Sequence, residues 1–133
     1  YVNRESQIVV RILSWDEREA VDAAFWERRI RQAVSARREA SVRRLVHGES
    51  DGLPGLVVDQ YEDFLVLQAL TKGIDVQKKE LAEILMKATG ARGGYERSDV
   101  DVRAKEGLKE AVGSLAGEEP PAEIVVSEPS AGR

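Results

Sequence analysis

The 133-residue sequence contains no cysteine and only one histidine. The lack of cysteine excludes disulfides, thiolate zinc sites and a cysteine nucleophile within this chain. A single histidine also excludes a histidine-based metal cluster. No apolar run approaches the roughly 18 residues that span a bilayer, and no basic-then-apolar leader indicates secretion. We therefore expect a cytoplasmic chain that has few catalytic groups and does not contact a membrane.

The composition that remains is typical of one globular domain. Hydrophobic residues make up 42% of the chain and charged residues 33%, a balance that disfavours wholesale disorder. The charge is unevenly distributed: residues 1–48 hold ten arginines against seven acidic residues, whereas the remaining 85 hold ten basic and 17 acidic residues. This asymmetry is a weak indication of an anionic partner at one face.

The hydrophobic pattern predicts alternating strands and helices. Asp16 is the predicted cap of a first helix over about 18–40, and Asp75 is the predicted cap of a second helix that Gly90 ends. Strands are predicted over 7–13, 44–47, 56–60, 64–70 and 94–97, with a short helix from Ser98 to Gly107 and a further strand over 123–127. This order predicts an α+β fold, with a mainly antiparallel sheet and two main helices on one face.

Three sequence features invite a catalytic interpretation, and none forms a convincing constellation. The loop at 48–55 holds three glycines, but it carries acidic residues and leads into a strand, so we interpret it as a structural turn and not as a phosphate cradle. His47 lies at a strand end, where ring packing is commoner than base catalysis. Glu96, Asp99 and Asp101 have no spacing that predicts an acid/base pair or a metal site.

The candidate binding feature is a group of arginines near the end of the first helix: Arg37, Arg38, Arg43 and Arg44. Such a group suits RNA phosphates. It also suits solvation and the negative end of a helix dipole, so both interpretations stay open. Arg37 lies on the apolar stripe of the helix, and we expect its head group to reach solvent past the helix end.

Several stretches then resemble one family. The most specific runs from Arg43 to Tyr61 (RRLVHGESDGLPGLVVDQY), and further matches lie at 1–15, 25–30, 95–103, 106–108 and 117–121. In this order they resemble the large-subunit ribosomal RNA cytosine-C5 methyltransferases. Members of that family join an RNA-binding PUA domain, a middle α+β domain and a Rossmann-like methyltransferase domain that uses S-adenosylmethionine.

The resemblance implies a particular division of the chain. Residues 1–14 would be the tail of the PUA domain, 15–117 the middle domain, and 118–133 a linker and the start of the methyltransferase domain. The S-adenosylmethionine site and catalytic cysteine of the family lie in that last domain. The chain itself is then expected to be non-catalytic and to bind no cofactor or metal, while the parent protein acts on ribosomal RNA. The alternative is a free-standing protein-interaction module, with no enzymatic activity, that uses the uncovered sheet face or a β-edge.

Overall fold

The computed structural model describes residues 13–14, 18–98, 103 and 107–121. The described residues form two helices, five strands and one 3-10 turn. These are α1 (Ala23–Ser35), β1 (Val42–His47), the 3-10 turn (Gly48–Asp51), β2 (Leu56–Tyr61), β3 (Phe64–Ala69), α2 (Lys72–Thr89), β4 (Gly93–Ser98) and β5 (Ala111–Gly117). Of the predicted elements, nearly all of strand 7–13, most of the short helix after Ser98, and strand 123–127 lie outside the described residues.

The five strands form one sheet in the order β1-β2-β3-β4-β5. Neighbouring strands are antiparallel except for β3 and β4, which are parallel. That exception follows from connectivity, since α2 carries the chain back before β4 begins, whereas a short turn joins the antiparallel strands β2 and β3. The predicted α+β class with a mainly antiparallel sheet is confirmed.

The hydrophobic core lies between the two helices and one face of the sheet. Buried side chains of α1, such as Phe25 and Ile30, and of α2, such as Leu81 and Leu85, share one cluster with Leu56 and its buried neighbours on the sheet. Along β2 and β3 the residues alternate between this covered face and the opposite one. We call the opposite side the open face; Arg44, Val57, Asp59, Val66 and Tyr95 occupy it.

The structure corrects both predicted helix starts. α1 begins at Ala23, because the Asp22 carboxylate caps it by accepting a hydrogen bond from the Phe25 N–H at 2.9 Å. It ends at Ser35, five residues earlier than predicted. α2 is capped by Thr71 and not by Asp75, which lies in its first turn. The predicted end of α2 is confirmed, since Gly90 has the left-handed conformation that stops a helix (φ 73°).

Strand β5 was not predicted. Its sequence, AVGSLAG, holds two glycines and one β-branched residue, so it lacks the composition that marks a strand. It pairs antiparallel with β4 over residues 93–98, with a register shift next to Gly94. Pairing with an existing strand, and not intrinsic propensity, therefore places this segment in the sheet.

Candidate functional site

Arg37 turns inward and fastens the turn after β1 to the end of α1. Its guanidinium donates to both carboxylate oxygens of Asp51, at 2.6 and 2.7 Å, and to the Ala33 carbonyl at 3.1 Å. The hydrogen bond from Arg37, ahead of that from the His47 backbone, holds the pKa of Asp51 below its ordinary value despite partial burial. The prediction that Arg37 reaches solvent is wrong: its head group is committed to Asp51.

Arg43 and Arg44 lie on opposite sides of the sheet, because adjacent residues of a strand point to opposite faces. Arg44 occupies the open face and makes two hydrogen bonds to the Asp59 carboxylate, at 2.8 and 3.2 Å. Arg43 points to the helix side, where its Nε donates to Gln60 Oε1 at 2.8 Å and its Nη1 donates to the Arg38 carbonyl at 3.3 Å. The four arginines are therefore not one patch.

Arg38 and Arg43 are the pair that the structure brings together. Arg38 is exposed just beyond α1, and Arg43 is half-buried beside it. This end of the domain also carries the carbonyl groups of the last helical turn, which favour positive charge. The Arg43 guanidinium contacts the Arg38 backbone carbonyl, so these two residues lie next to each other at this end of the domain.

The glycine-containing loop is a structural turn, as predicted. Gly52 and Gly55 both have positive φ angles, 69° and 91°, which residues other than glycine adopt only at a cost in free energy. At Gly55 a Cβ would lie 2.3 Å from the Thr71 hydroxyl oxygen. That hydroxyl donates to the Pro54 carbonyl at 3.0 Å and also caps α2. The loop thus holds the start of α2 against β2.

His47 is exposed, so the prediction of a packed ring is wrong. Its backbone makes the contacts that shape the turn: its N–H donates to Asp51 Oδ2 at 2.7 Å, and its carbonyl accepts from the Ser50 hydroxyl at 2.7 Å. These bonds explain why the chain turns sharply after β1.

A buried ionic network joins the end of β3 and strand β4 to α2. This network was not predicted from the sequence. Arg103 is 3% exposed. It donates to the Ala69 carbonyl at 2.6 Å, to Asp75 Oδ1 at 2.8 Å and to the Lys109 carbonyl at 2.9 Å. Lys78 lies 3.0 Å from both Asp75 and Glu96. Only the Asp75–Lys78 spacing was visible in the sequence, since the other partners are far apart along the chain.

Asp75 and Lys78 stabilise each other's charged forms within this network. Burial alone raises the pKa of Asp75, but hydrogen bonds from Arg103 and Lys78 outweigh it and hold that pKa below its ordinary value. Burial likewise lowers the pKa of Lys78, and the Asp75 and Glu96 carboxylates outweigh it and raise that pKa. Groups that hold their charges this firmly fasten a fold and are poorly suited to proton transfer near neutral pH.

An apolar cavity of about 190 Å³ lies beside the start of α2. Its lining includes Leu13, Val21, Trp26, Ile74 and Val76, and none of the described residues that line it has a titratable side chain. Among the described residues, no group of histidine, cysteine, aspartate or glutamate has the arrangement of a metal site. In the same part of the chain, neither helix has the length and hydropathy of a membrane span.

No family model matches the sequence. The chain is 43% identical over 130 residues to the ribosomal RNA large subunit methyltransferase I of Aliivibrio fischeri, and 46% identical over 129 residues to the protein of that name from Vibrio cholerae. These matches span 93% and 92% of this chain but 33% and 32% of the relatives. The chain therefore spans about one third of the length of each of these relatives.

Two solved structures share the fold of this chain. A proposed SAM-dependent methyltransferase from Streptococcus mutans superimposes with a TM-score of 0.74, at 16% identity, over 95% of this chain and 33% of its own. A second proposed methyltransferase, crystallised with SAH, gives a TM-score of 0.61 at 15% identity over 83% of this chain and 28% of its own. At this identity the likeness establishes the fold.

Proposed function

We propose that the chain is a non-catalytic segment of a longer, cytoplasmic, SAM-dependent methyltransferase that modifies C5 of a cytosine in large-subunit ribosomal RNA. The observation that carries this proposal is the 43% identity to a ribosomal RNA large subunit methyltransferase over 93% of the chain. The chain matches about a third of that relative, so the activity belongs to the whole protein and the segment contributes one part of it.

The chemistry of the reaction supports a non-catalytic role. Methylation at C5 of cytosine calls for a thiolate that adds to C6 and so makes C5 nucleophilic, and the sequence has no cysteine. The nucleophile would therefore come from outside these 133 residues. The segment would join an RNA-binding PUA-like domain, of which residues 1–14 are the tail, to a methyltransferase domain that begins within residues 118–133. Residues 15–117 are the middle domain between them.

The site that a cofactor would use supports the same assignment. In α/β folds, nucleotide cofactors bind beyond the carboxyl ends of parallel strands. Here the end of β3 is taken up by protein groups: the Ala69 N–H donates to the Ser98 hydroxyl at 3.0 Å, and the Ala69 carbonyl accepts from Arg103. These contacts engage the Ala69 backbone within the protein, which supports the proposal that S-adenosylmethionine is held by the methyltransferase domain.

Within this segment, Arg38 and Arg43 are the residues we propose to meet the RNA backbone. Arg37 and Arg44 share the sequence neighbourhood, but their guanidinium groups are held by Asp51 and Asp59. The proposed contact is with phosphate, and it carries no sequence specificity.

The test is a salt titration of RNA binding by the longer enzyme. An Arg38→Ala/Arg43→Ala double variant should bind ribosomal RNA more weakly, and its slope of log K against log salt should be shallower by about 0.7–0.9 for each phosphate that is no longer neutralised. Arg31→Ala is the matched control, because Arg31 is exposed on α1 and paired locally with Glu27 at 3.0 Å. An unchanged slope in the double variant would assign Arg38 and Arg43 to solvation alone.

A further inference from the structure

Arg29 joins three segments of the chain through one side chain. Its Nη2 donates to the Leu13 carbonyl at 2.8 Å, and its Nη1 donates to the Gly52 carbonyl at 3.2 Å. Its guanidinium carbon lies 4.8 Å from the centre of the Phe25 ring. The guanidinium of an α1 residue thus contacts both the loop after β1 and the stretch of chain that precedes α1.

A second contact holds the same stretch. The Ser14 hydroxyl donates to Glu19 Oε1, and the other oxygen of Glu19 accepts from Arg28 at 2.9 Å. Arg29 Nη2 lies 4.0 Å from Glu19 as well. We call this group, Leu13, Ser14, Glu19 and Arg29, the arginine clamp. Two consecutive residues, Leu13 and Ser14, are held at once, which fixes a direction as well as a position.

The surroundings of the Arg29 guanidinium suit an arginine side chain. Gly52 has a φ of 69°, and a Cβ there would lie 2.0 Å from Arg29 Nη1, so the loop approaches the guanidinium as closely as a glycine allows. The planar fork of arginine places donors toward two carbonyl groups that lie on different segments. A lysine has a single ammonium on a flexible stem and would bridge both with difficulty.

We infer that Arg29 is a positioning residue that sets the direction in which the chain leaves the middle domain before Leu13, and thereby places the RNA-binding domain relative to the rest of the enzyme. This inference rests on the proposed function, in which residues 1–14 end that domain. The neighbouring Arg31 provides the contrast, since its ion pair with Glu27 lies within α1.

The first experiment measures amide hydrogen exchange in the 133-residue chain. Arg29→Ala should speed exchange in peptides covering residues 13–18 and 48–53 by about tenfold, because both lose a tie to α1. Arg29→Lys should give an intermediate rate, and Arg31→Ala should exchange like the parent. Peptides from α2 and β3 report whether the core is intact. Unchanged exchange at residues 13–18 in Arg29→Ala would show that Arg29 does not hold this stretch of chain, whatever reaction the longer protein catalyses.

The second experiment measures methylation of ribosomal RNA by the longer enzyme. A misplaced RNA-binding domain would weaken binding of the RNA substrate without changing the methyl-transfer site. Arg29→Ala should therefore raise KM for the RNA about tenfold, while kcat and the Kd for S-adenosylmethionine stay unchanged. Arg29→Lys should recover part of the loss, and Arg31→Ala should match the parent.

The two experiments separate the inference from the proposed function. Faster exchange with an unchanged KM for RNA, in an enzyme that methylates ribosomal RNA, would overturn the positioning role. A fall in kcat without a change in KM would overturn it too. If the longer protein methylates no ribosomal RNA, the proposed function fails, and the exchange data still decide whether the clamp exists.

Discussion

Replacing Arg103 with alanine is the sharpest test of the buried network. The substitution removes donors to the Ala69 and Lys109 carbonyls and to the Asp75 carboxylate, and it leaves Glu96, which is 4% exposed, near Asp75 with Lys78 as the shared cation. Removing one partner of a buried ion pair costs about 3–5 kcal/mol. Domains of this size have unfolding free energies of about 5–15 kcal/mol, so the loss is a large fraction of the total.

Urea denaturation followed by circular dichroism measures this loss. With an m-value of about 2 kcal/mol per molar urea, the midpoint should fall by about 1.5–2.5 M. Arg31→Ala, which breaks an exposed pair within α1, should shift the stability by less than about 0.5 kcal/mol. A midpoint within about 0.3 M of the parent for Arg103→Ala would refute the network as a fastener of the fold.

A double-mutant cycle with Asp75 identifies the partner that matters. Asp75→Ala and Arg103→Ala should couple by about 1–3 kcal/mol, because each removes the same hydrogen bond. Purely additive losses would show that the backbone carbonyls, and not the carboxylate, account for the contribution of Arg103.

Three further predictions concern the helix cap and the loop after β1. Gly55→Ala should destabilise the fold by about 2–4 kcal/mol, from its positive φ and the clash with Thr71; thermal melting measures this, and a neutral result would contradict the close approach. Asp22→Ala should cost about 1 kcal/mol because the cap of α1 is removed, again by melting, and an unchanged melting temperature would contradict it. The pKa of Asp51 is lowered in the folded state, so its pairing with Arg37 stabilises the fold fully above the ordinary carboxyl pKa of about 4 and is lost as the pH falls below that value. Asp51→Asn should therefore be less stable than the parent at neutral pH, and urea titrations from pH 6 to about 2 should show the gap closing; a constant gap would refute the coupling.

Local patterns account for most of the predicted fold. Strands β2 and β3 were predicted from two short apolar runs around a tight turn, and α2 was predicted from its apolar spacing and from Gly90. Helix starts were harder, since Asp22 and Thr71 competed with other acceptable caps, Asp16 and Asp75. Strand β5 has no local signature, and only the neighbouring strand defines it.

The candidate binding site was predicted less well, and the reasons are physical. Arg43 and Arg44 are adjacent in sequence, yet they lie on opposite faces of the sheet because side chains alternate along a strand. A predicted strand that included both residues would have indicated this. The pairing of Arg37 with Asp51 and of Arg103 with Ala69 depends on how elements pack, and these partners lie 14 and 34 residues apart. No local pattern encodes such contacts.

The sheet order has a consequence for how the domain folds. Because the spatial order of the strands is the order of the chain, each strand pairs with its immediate predecessor, and the longest connection to be closed is the one between β3 and β4. Such topologies fold quickly for a mixed domain. The slowest pairing should be that of β3 with β4, which waits for the 18 residues of α2 to form and cross the sheet. During synthesis, β1 to β3 can therefore assemble as a nucleus before β4 has been made.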